Sequence, residues 1–217
     1  MSDEALTDLR VPLDEARVRA LRAGDIVTLS GRVTMTIGLP THKRMADLLG
    51  RGEPLPVDLC GGAFLHLSSF NRESAAVGFE ALYLNPTTST RYDDLMPSII
   101  AKSGVRVVGG KGGLAQASVD ALREAGCVYL SFPGGGCTLL SEAIRGVVSV
   151  HWNEYISQFR LITLEVERLG PATVAIDAHG TSLYRDLRAN AEARLPAILE
   201  RMAAARATAP TTTRENS

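Results

Sequence analysis

Short apolar runs alternate with helical periods along most of the 217-residue chain. Residues 25–36, DIVTLSGRVTMT, alternate apolar and polar positions and are rich in β-branched residues, which predicts a strand. Residues 41–52 repeat apolar positions at helical spacing and end in two glycines, which predicts a helix. Strands and helices that alternate in this way are typical of an α/β fold with a largely parallel sheet.

The same alternation continues to the end of the chain. Several helices are predicted to stop at a glycine, because glycine readily takes the left-handed conformation that closes a helix. We predict strands over 63–70, before residue 85, over 105–110 and from 127, then an edge strand over 147–152 and two strands around the Gly-Pro turn of 161–177. We predict helices over 93–104, 116–126 and 138–146, and a terminal helix over 183–207 that is interrupted near Pro196.

Composition mainly excludes classes of function. The net charge of -1 provides no basic field for nucleic acid, and no apolar run approaches the roughly 20 residues that would span a bilayer. The first thirty residues lack the basic start and apolar block of a secretory signal. We therefore predict a cytoplasmic protein that binds neither nucleic acid nor membrane. We expect an N-terminal extension over 1–19, one domain over 20–205 and a disordered polar tail over 206–217.

The three cysteines, Cys60, Cys127 and Cys137, do not suggest a metal site. They are odd in number and lack CxxC spacing, so neither a disulfide framework nor a zinc or iron-sulfur site is indicated. Free cysteine commonly packs as a small hydrophobe, and unpaired thiols fit a reducing compartment.

Two polar loops carry the candidate chemistry. NPTTSTR (85–91) places hydroxyls beside Arg91, and VVGGKGG (107–113) places Lys111 among glycines directly after a predicted strand. The arginine fork, the lysine charge and backbone N–H groups between glycines all suit an anion. The residues alone leave open a hydroxyl-rich turn or helix cap for the first loop and a glycine turn with a solvated lysine for the second. Neither loop has a nucleotide-binding fingerprint.

Seven segments occur in the order found in the β subunit of class I fumarases and L-tartrate dehydratases, which this chain resembles over about residues 20–185. The segments are GDIVTLSG (24–31), THKRM (41–45), NPTTSTR, VVGGKGG, FPGGGC (132–137), VHW (150–152) and AIDAHGTSL (175–183). The resemblance implies a swivelling β/β/α layered domain. It also implies a hydro-lyase that reversibly removes water from a hydroxy acid as part of a hetero-oligomer. The partner α subunit would carry a [4Fe-4S] cluster, and this chain alone would bind no cofactor.

The resemblance also assigns roles to single residues. It makes Thr87 the proton-transferring hydroxyl, gives His42 a catalytic or substrate-contacting role, and makes Ser89, Arg91 and Lys111 the residues that bind the substrate carboxylate. A threonine hydroxyl is a poor base unless a nearby positive charge stabilises its alkoxide or a relay removes its proton. On the residues alone, a histidine followed by two basic residues at a helix start is most often a surface residue.

Two segments depart from the family pattern. Gly38 and Leu39 stand where the family has an arginine-aspartate pair, and YISQFR (155–160) replaces a Gly-Met-Pro-Glu type segment. One expected carboxylate clamp is therefore missing, and the hydroxy acid, the reaction direction, the stereochemistry and the subunit count stay undetermined. An alternative function is a non-catalytic binding or regulatory relative on the same scaffold.

Overall fold

The computed structural model describes residues 6–74 and 78–208, in two compact units that divide after Ser182. The strands are β1 (Thr7–Arg10), β2 (Ile26–Met35), β3 (Ala63–Leu65), β4 (Leu67–Ser74), β5 (Gly78–Pro86), β6 (Val107–Gly110), β7 (Val128–Ser131), β8 (Ile144–His151) and β9 (Leu161–Ile176). The α-helices are α1 (Glu15–Ala20), α2 (Leu39–Gly50), α3 (Met96–Ser103), α4 (Gln116–Ala125), α5 (Cys137–Ser141) and α6 (Leu183–Thr208). Two 3-10 turns cover Ser89–Tyr92 and Ser157–Phe159.

The strands of the first unit form a mixed sheet that closes on itself. Its order is β1-β2-β3-β6-β7-β9-β8, and β9 also pairs with β2, so β2, β3, β6, β7 and β9 form a five-stranded barrel. The pairings from β1 through β7 are parallel, whereas β9 runs antiparallel to β2, β7 and β8. The predicted α/β class is confirmed. The prediction of a largely parallel sheet is corrected to a mixed sheet, because one long strand runs against three neighbours.

The strand β9 is a single element of 16 residues, whereas the sequence predicts two strands around a Gly-Pro turn. Its pairings with β2, β7 and β8 all contain register shifts. Arg168, two residues before Gly170, has a φ of 52°. Irregularities of this kind bend a strand and change its twist while the ladder continues. The predicted turn is therefore wrong, and the Gly-Pro pair lies within a bent strand.

Alternate residues of the barrel strands build the main core. Leu29, Leu65, Val107, Leu130 and Leu164 belong to one cluster of buried apolar side chains. The intervening Phe64, Val108 and Tyr129 are fully buried as well. Strands that are buried on both faces appear in the sequence as continuous apolar runs, which explains why β3, β6 and β7 lack a polar face.

The predicted strand over residues 63–70 splits at His66. The residues before it form β3 in the barrel, and the residues after it form β4, which pairs antiparallel with β5 in a separate two-stranded sheet. Apolar residues occur on both sides of His66, so the pattern alone gave no sign of the division. The split matters because the loop after β5 returns to the end of the barrel.

Other predicted elements differ at their ends. The helix predicted over 138–146 ends at Ser141, and Ile144 begins β8, because pairing with β9 outweighs the helical period. The helix α6 continues through Pro196 without interruption. Within the predicted N-terminal extension, residues 7–10 form β1, which pairs parallel to β2. Of the predicted tail, residues 209–217 lie outside the described residues, and both domain limits stay predictions.

No helix within residues 6–74 and 78–208 combines the length and the apolar character needed to cross a membrane.

Candidate functional site

The NPTTSTR loop joins the carboxyl ends of β3 and β6. The N–H of Thr87 donates to the carbonyl of His66 at 2.8 Å, and the N–H of Lys111 donates to the carbonyl of Thr87 at 3.0 Å. The N–H of Ser89 donates to the carbonyl of Lys111 at 2.8 Å. The two motifs that are separate in the sequence thus form one short parallel bridge, at the sheet edge where α/β proteins commonly bind ligands.

Thr87 and Arg91 meet through their side chains. A guanidinium N–H of Arg91 (Nη1) donates to Thr87 Oγ1 at 3.3 Å. Arg91 is exposed and Thr87 is half-buried. The 3-10 turn Ser89–Tyr92 folds the chain back, so that Arg91 reaches Thr87 four residues earlier. The site therefore presents a hydroxyl that accepts a hydrogen bond from a cation.

Lys111 reaches toward the other glycine-rich motif, FPGGGC. A Cβ added to Gly134 would lie 3.5 Å from Lys111 Cδ and 3.8 Å from Lys111 Nζ, so the lysine side chain passes beside that glycine. A Cβ added to Gly110 would clash with Ser89 Oγ and would lie 3.1 Å from the Thr87 carbonyl oxygen. The absence of a side chain at Gly110 is therefore what lets the two loops approach each other, whereas a Cβ at Gly134 would make only ordinary van der Waals contact.

Ser89 does not face solvent, although the sequence analysis expects it to bind substrate. Its side chain is fully buried. Its Oγ lies 2.8 Å from His66 Nδ1 and 2.8 Å from the hydroxyl of Tyr129. The substrate-binding role assigned to Ser89 stays a prediction, and in this arrangement its hydroxyl is already engaged on two sides.

His42 is fully buried, so its alternative interpretation as a surface histidine is wrong. Its ring stacks on the Tyr92 ring with centroids 3.8 Å apart and an interplanar angle of 2°. Its Nδ1 lies 2.7 Å from the carbonyl of Gly38, which can only accept, so Nδ1 carries the proton and Nε2 is unprotonated. Burial lowers the pKa of His42 to about 4, against a smaller opposing effect of the Gly38 bond, so the ring is neutral at pH 7.

Three residues beside the loop escaped the sequence analysis. His66, Tyr92 and Tyr129 are buried, and their polar atoms contact the loop or the segment before α2. Burial lowers the pKa of His66 well below its usual value, and the neighbouring His42 adds to the effect. The sequence offered one usable signal for His66, which is a histidine between two leucines in the middle of a predicted strand.

The two segments that depart from the family pattern pack against each other. A Cβ on Gly38 would lie 2.7 Å from Phe159 Cβ and 2.9 Å from Phe159 Cα. The Thr36 hydroxyl donates to the Phe159 carbonyl at 3.2 Å, and the Thr41 hydroxyl donates to the same oxygen. No side chain fits at Gly38 unless the backbone around Phe159 shifts, so the two departures are structurally coupled.

Residues 6–74 and 78–208 contain no group of three or more histidine, cysteine, aspartate or glutamate side chains arranged to hold a metal ion. Cys60 is exposed, Cys127 is buried and Cys137 is half-buried. Burial raises the pKa of the Cys127 thiol, which disfavours the thiolate that metals bind. The described side chains of this chain therefore do not fit an iron-sulfur cluster by themselves.

Residues 2–187 match the profile of the family described as Fumarase C-terminus. The chain belongs to this fumarase C-terminus family. The match includes both loops of the candidate site and both segments that depart from the family pattern.

Three proteins with similar sequences have names that describe their activity. A protein of Methanocaldococcus jannaschii, provisionally named L(+)-tartrate dehydratase subunit beta, is 30% identical over 81% of this chain and 89% of its own length. The L(+)-tartrate dehydratase subunit beta of Escherichia coli K12 is 29% identical over 82% of this chain and 86% of its own length. A Geobacillus stearothermophilus protein, provisionally named class I fumarate hydratase, is 32% identical over 86% of this chain but only 35% of its own length.

Proposed function

We propose that this chain is the β subunit of a hydro-lyase of the class I fumarate hydratase or L-tartrate dehydratase type, which reversibly removes water from a hydroxy acid. Its relatives of similar length are named as β subunits, which supports a hetero-oligomer with an α subunit. The third relative is much longer than this chain, which fits a single chain that joins both parts. The swivelling β/β/α arrangement and the domain limits 20 and 205 belong to the same proposal.

The contact between Arg91 Nη1 and Thr87 Oγ1 carries the proposal. A cation that donates to a hydroxyl favours its deprotonated form, so Arg91 gives Thr87 the means to exchange a proton with the substrate. The rest of the guanidinium fork and Lys111 would hold a carboxylate by charge-assisted hydrogen bonds. Thr87 would move the proton, Arg91 and Lys111 would orient the acid, and His42 would contribute from the buried side of the turn.

We further propose that the physiological substrate is not a symmetric dicarboxylate. Gly38 has no room for a side chain against Phe159, so position 38 cannot supply the guanidinium that the family places there for a second carboxylate. The half-buried Phe159 and Ile37 instead bring apolar surface to the same place. A hydroxy acid with one carboxylate and an apolar or neutral group at the other end suits this surface.

The [4Fe-4S] cluster is proposed to lie in the partner α subunit, because the described side chains of this chain do not fit it. When bound there, the cluster would supply the Lewis acid that holds the substrate hydroxyl. This chain would supply the carboxylate binding and the proton transfer. Neither subunit would then turn over alone.

The decisive experiment is anaerobic co-expression with a candidate α subunit, followed by a screen of mono- and dicarboxylic hydroxy acids for the absorbance of the enoate product. We expect turnover in the complex, none with either subunit alone, and no stoichiometric iron or sulfide in the isolated chain. Thr87→Val and the matched variant Thr181→Val separate the proposed site from a remote threonine. Stoichiometric iron and sulfide in the isolated chain would overturn the placement of the cluster in the partner. A pure complex that is inactive on every acid would favour the non-catalytic relative.

A further inference from the structure

His66 lies where three segments of the proposed site meet. It is the single residue between β3 and β4. Its N–H donates to the carbonyl of Gly109 at 2.6 Å, and its carbonyl accepts from the N–H of Thr87 at 2.8 Å. Neither the sequence motifs nor the names of the relatives assign this histidine a role.

The imidazole of His66 extends this connection through side chains. His66 Nδ1 lies 2.8 Å from Ser89 Oγ, which lies 2.8 Å from the hydroxyl of Tyr129 on β7. All three side chains are fully buried. Ser89 opens the 3-10 turn that ends at Tyr92, so these hydrogen bonds hold the turn that places Thr87 and Arg91.

The other end of the same turn is held by a second histidine. His42 stacks on Tyr92, and the Tyr92 hydroxyl donates to the carbonyl of Ile37 at 2.6 Å. The rings of His42 and His66 lie 5.1 Å apart. Two neighbouring imidazoles therefore hold the turn. His66 contacts Ser89 at its start, and His42 stacks on Tyr92 at its end.

Packing alone does not account for an imidazole at position 66. Its Nε2 is buried and has no hydrogen-bond partner among the described residues. An unpaired buried nitrogen is unfavourable, and an aliphatic side chain of similar size would avoid it. The remaining polar contact of the ring, from Nδ1 to Ser89, is the one that an aliphatic side chain would lose.

We infer that His66 is a positioning residue of the proposed dehydration site, which holds Ser89 and thereby sets the geometry of Thr87 and Arg91. This inference rests on the proposed function for its chemical meaning. It also gives Ser89 a definite part, which is to anchor the turn. Only the Nδ1 edge of the imidazole takes part in this contact.

The two nitrogens can be tested separately by matched variants. In His66→Asn the shorter amide places a polar atom near the position of Nδ1, whereas in His66→Gln the longer amide reaches the position of Nε2. Both variants are polar and neutral, so they differ mainly in whether Ser89 keeps its partner. Ser89→Ala removes the other half of the contact, and His151→Leu on β8 is a remote histidine control.

In the assembled complex, we expect His66→Gln and Ser89→Ala to lower kcat by roughly tenfold to a hundredfold, as expected when a catalytic group is displaced by a fraction of an ångström to an ångström. KM should rise as well, because Arg91, which is proposed to bind the carboxylate, moves with the turn. His66→Asn should recover most of the lost kcat. The double variant His66→Gln/Ser89→Ala should be no slower than the slower single variant, since both remove one contact.

A second readout uses the isolated chain and needs no activity. Amide hydrogen exchange over residues 87–92 should be faster in His66→Gln and Ser89→Ala than in the wild type, and close to the wild type in His66→Asn and His151→Leu. Unchanged exchange in the first two variants would overturn the inference, as would equal kcat for the Asn and Gln variants or additive losses in the double variant. If the complex dehydrates no hydroxy acid, the proposed function fails, and the exchange data still decide whether His66 positions the turn.

Discussion

Two polar turns that both match the family pattern have opposite hydrogen-bonding character. In the turn Asp177–Thr181, the buried Asp177 carboxylate accepts from the N–H groups of His179, Thr181 and Ala23 at 2.9 to 3.2 Å. In the loop 87–91, the N–H groups of Thr87 and Ser89 donate to backbone carbonyls, while the hydroxyl of the half-buried Thr87 accepts from the exposed Arg91 guanidinium. The first turn uses its polar groups on itself, whereas the second is proposed to offer two of them to a ligand.

The contrast explains why a matching motif is weak evidence of a reactive site. A family would retain both turns. The first joins β9 to the N-terminal part of the chain, and the second is proposed to bind substrate and transfer a proton. The difference lies in which polar atoms have partners within the protein. Each prediction below tests one side of this comparison.

The largest expected effect is on the chemical role of Thr87. Thr87→Val keeps the branched shape and removes the hydroxyl, so kcat of the assembled complex should fall about a hundredfold or more, as for a lost acid-base group. Thr87→Ser should recover part of the rate. Steady-state kinetics and thermal unfolding check both variants, and a loss of stability without a loss of rate would show that Thr87 caps the turn.

Asp177 should show the reverse behaviour. Asp177→Ala leaves three backbone N–H groups without their acceptor, so the free energy of unfolding should fall by about 2 to 3 kcal/mol while kcat of the folded complex stays near that of the wild type. Asp177→Asn should lie between the two, because one amide oxygen still accepts. Urea unfolding measures the change, and a large fall in kcat at full stability would move this turn into the active site.

Arg91→Lys tests whether the loop recognises geometry as well as charge. Lysine keeps the positive charge but lacks the planar fork, so kcat/KM should fall at least about tenfold, equivalent to roughly 1.4 kcal/mol. Arg188→Lys on the exposed helix α6 is the matched control and should have no effect. Wild-type kinetics for Arg91→Lys would remove Arg91 from the substrate contact.

The last prediction concerns the pH dependence that the neutral histidine beneath the loop gives to stability. The pKa of His42 is about 4 in the folded chain against an ordinary 6.5, so between these values the unfolded chain takes up a proton that the folded chain does not. Stability is therefore full above pH 6.5 and falls as the pH drops toward 4, with a slope from this residue of at most about 1.4 kcal/mol per pH unit. His42→Phe should have a shallower slope in chemical denaturation between pH 4 and 6.5, and an unchanged slope would show that His42 is protonated in the fold.

Much of the fold could be predicted because its elements obey local rules. Gly104 and Gly126 have φ values of 71° and 62° and follow α3 and α4 as predicted. The errors occurred where tertiary pairing overrode local pattern. β9 passes through its Gly-Pro pair because β2, β7 and β8 pair with it. The predicted strand 63–70 divides because its first half pairs with β2 and β6 and its second half with the neighbouring strand β5.

The sequence by itself determined the family, the α/β class and the polar loops, since turn residues, hydrophobic period and motif order are properties of adjacent positions. Only the tertiary structure decided which polar groups are free to react. It joined Thr87 to Lys111 through the backbone and packed Gly38 against Phe159. It also buried Ser89, His42 and His66. Burial and hydrogen-bond partners depend on residues far apart in the chain, so no local pattern can distinguish the buried hydroxyl of Ser89, which contacts His66 and Tyr129, from the half-buried hydroxyl of Thr87, which contacts Arg91.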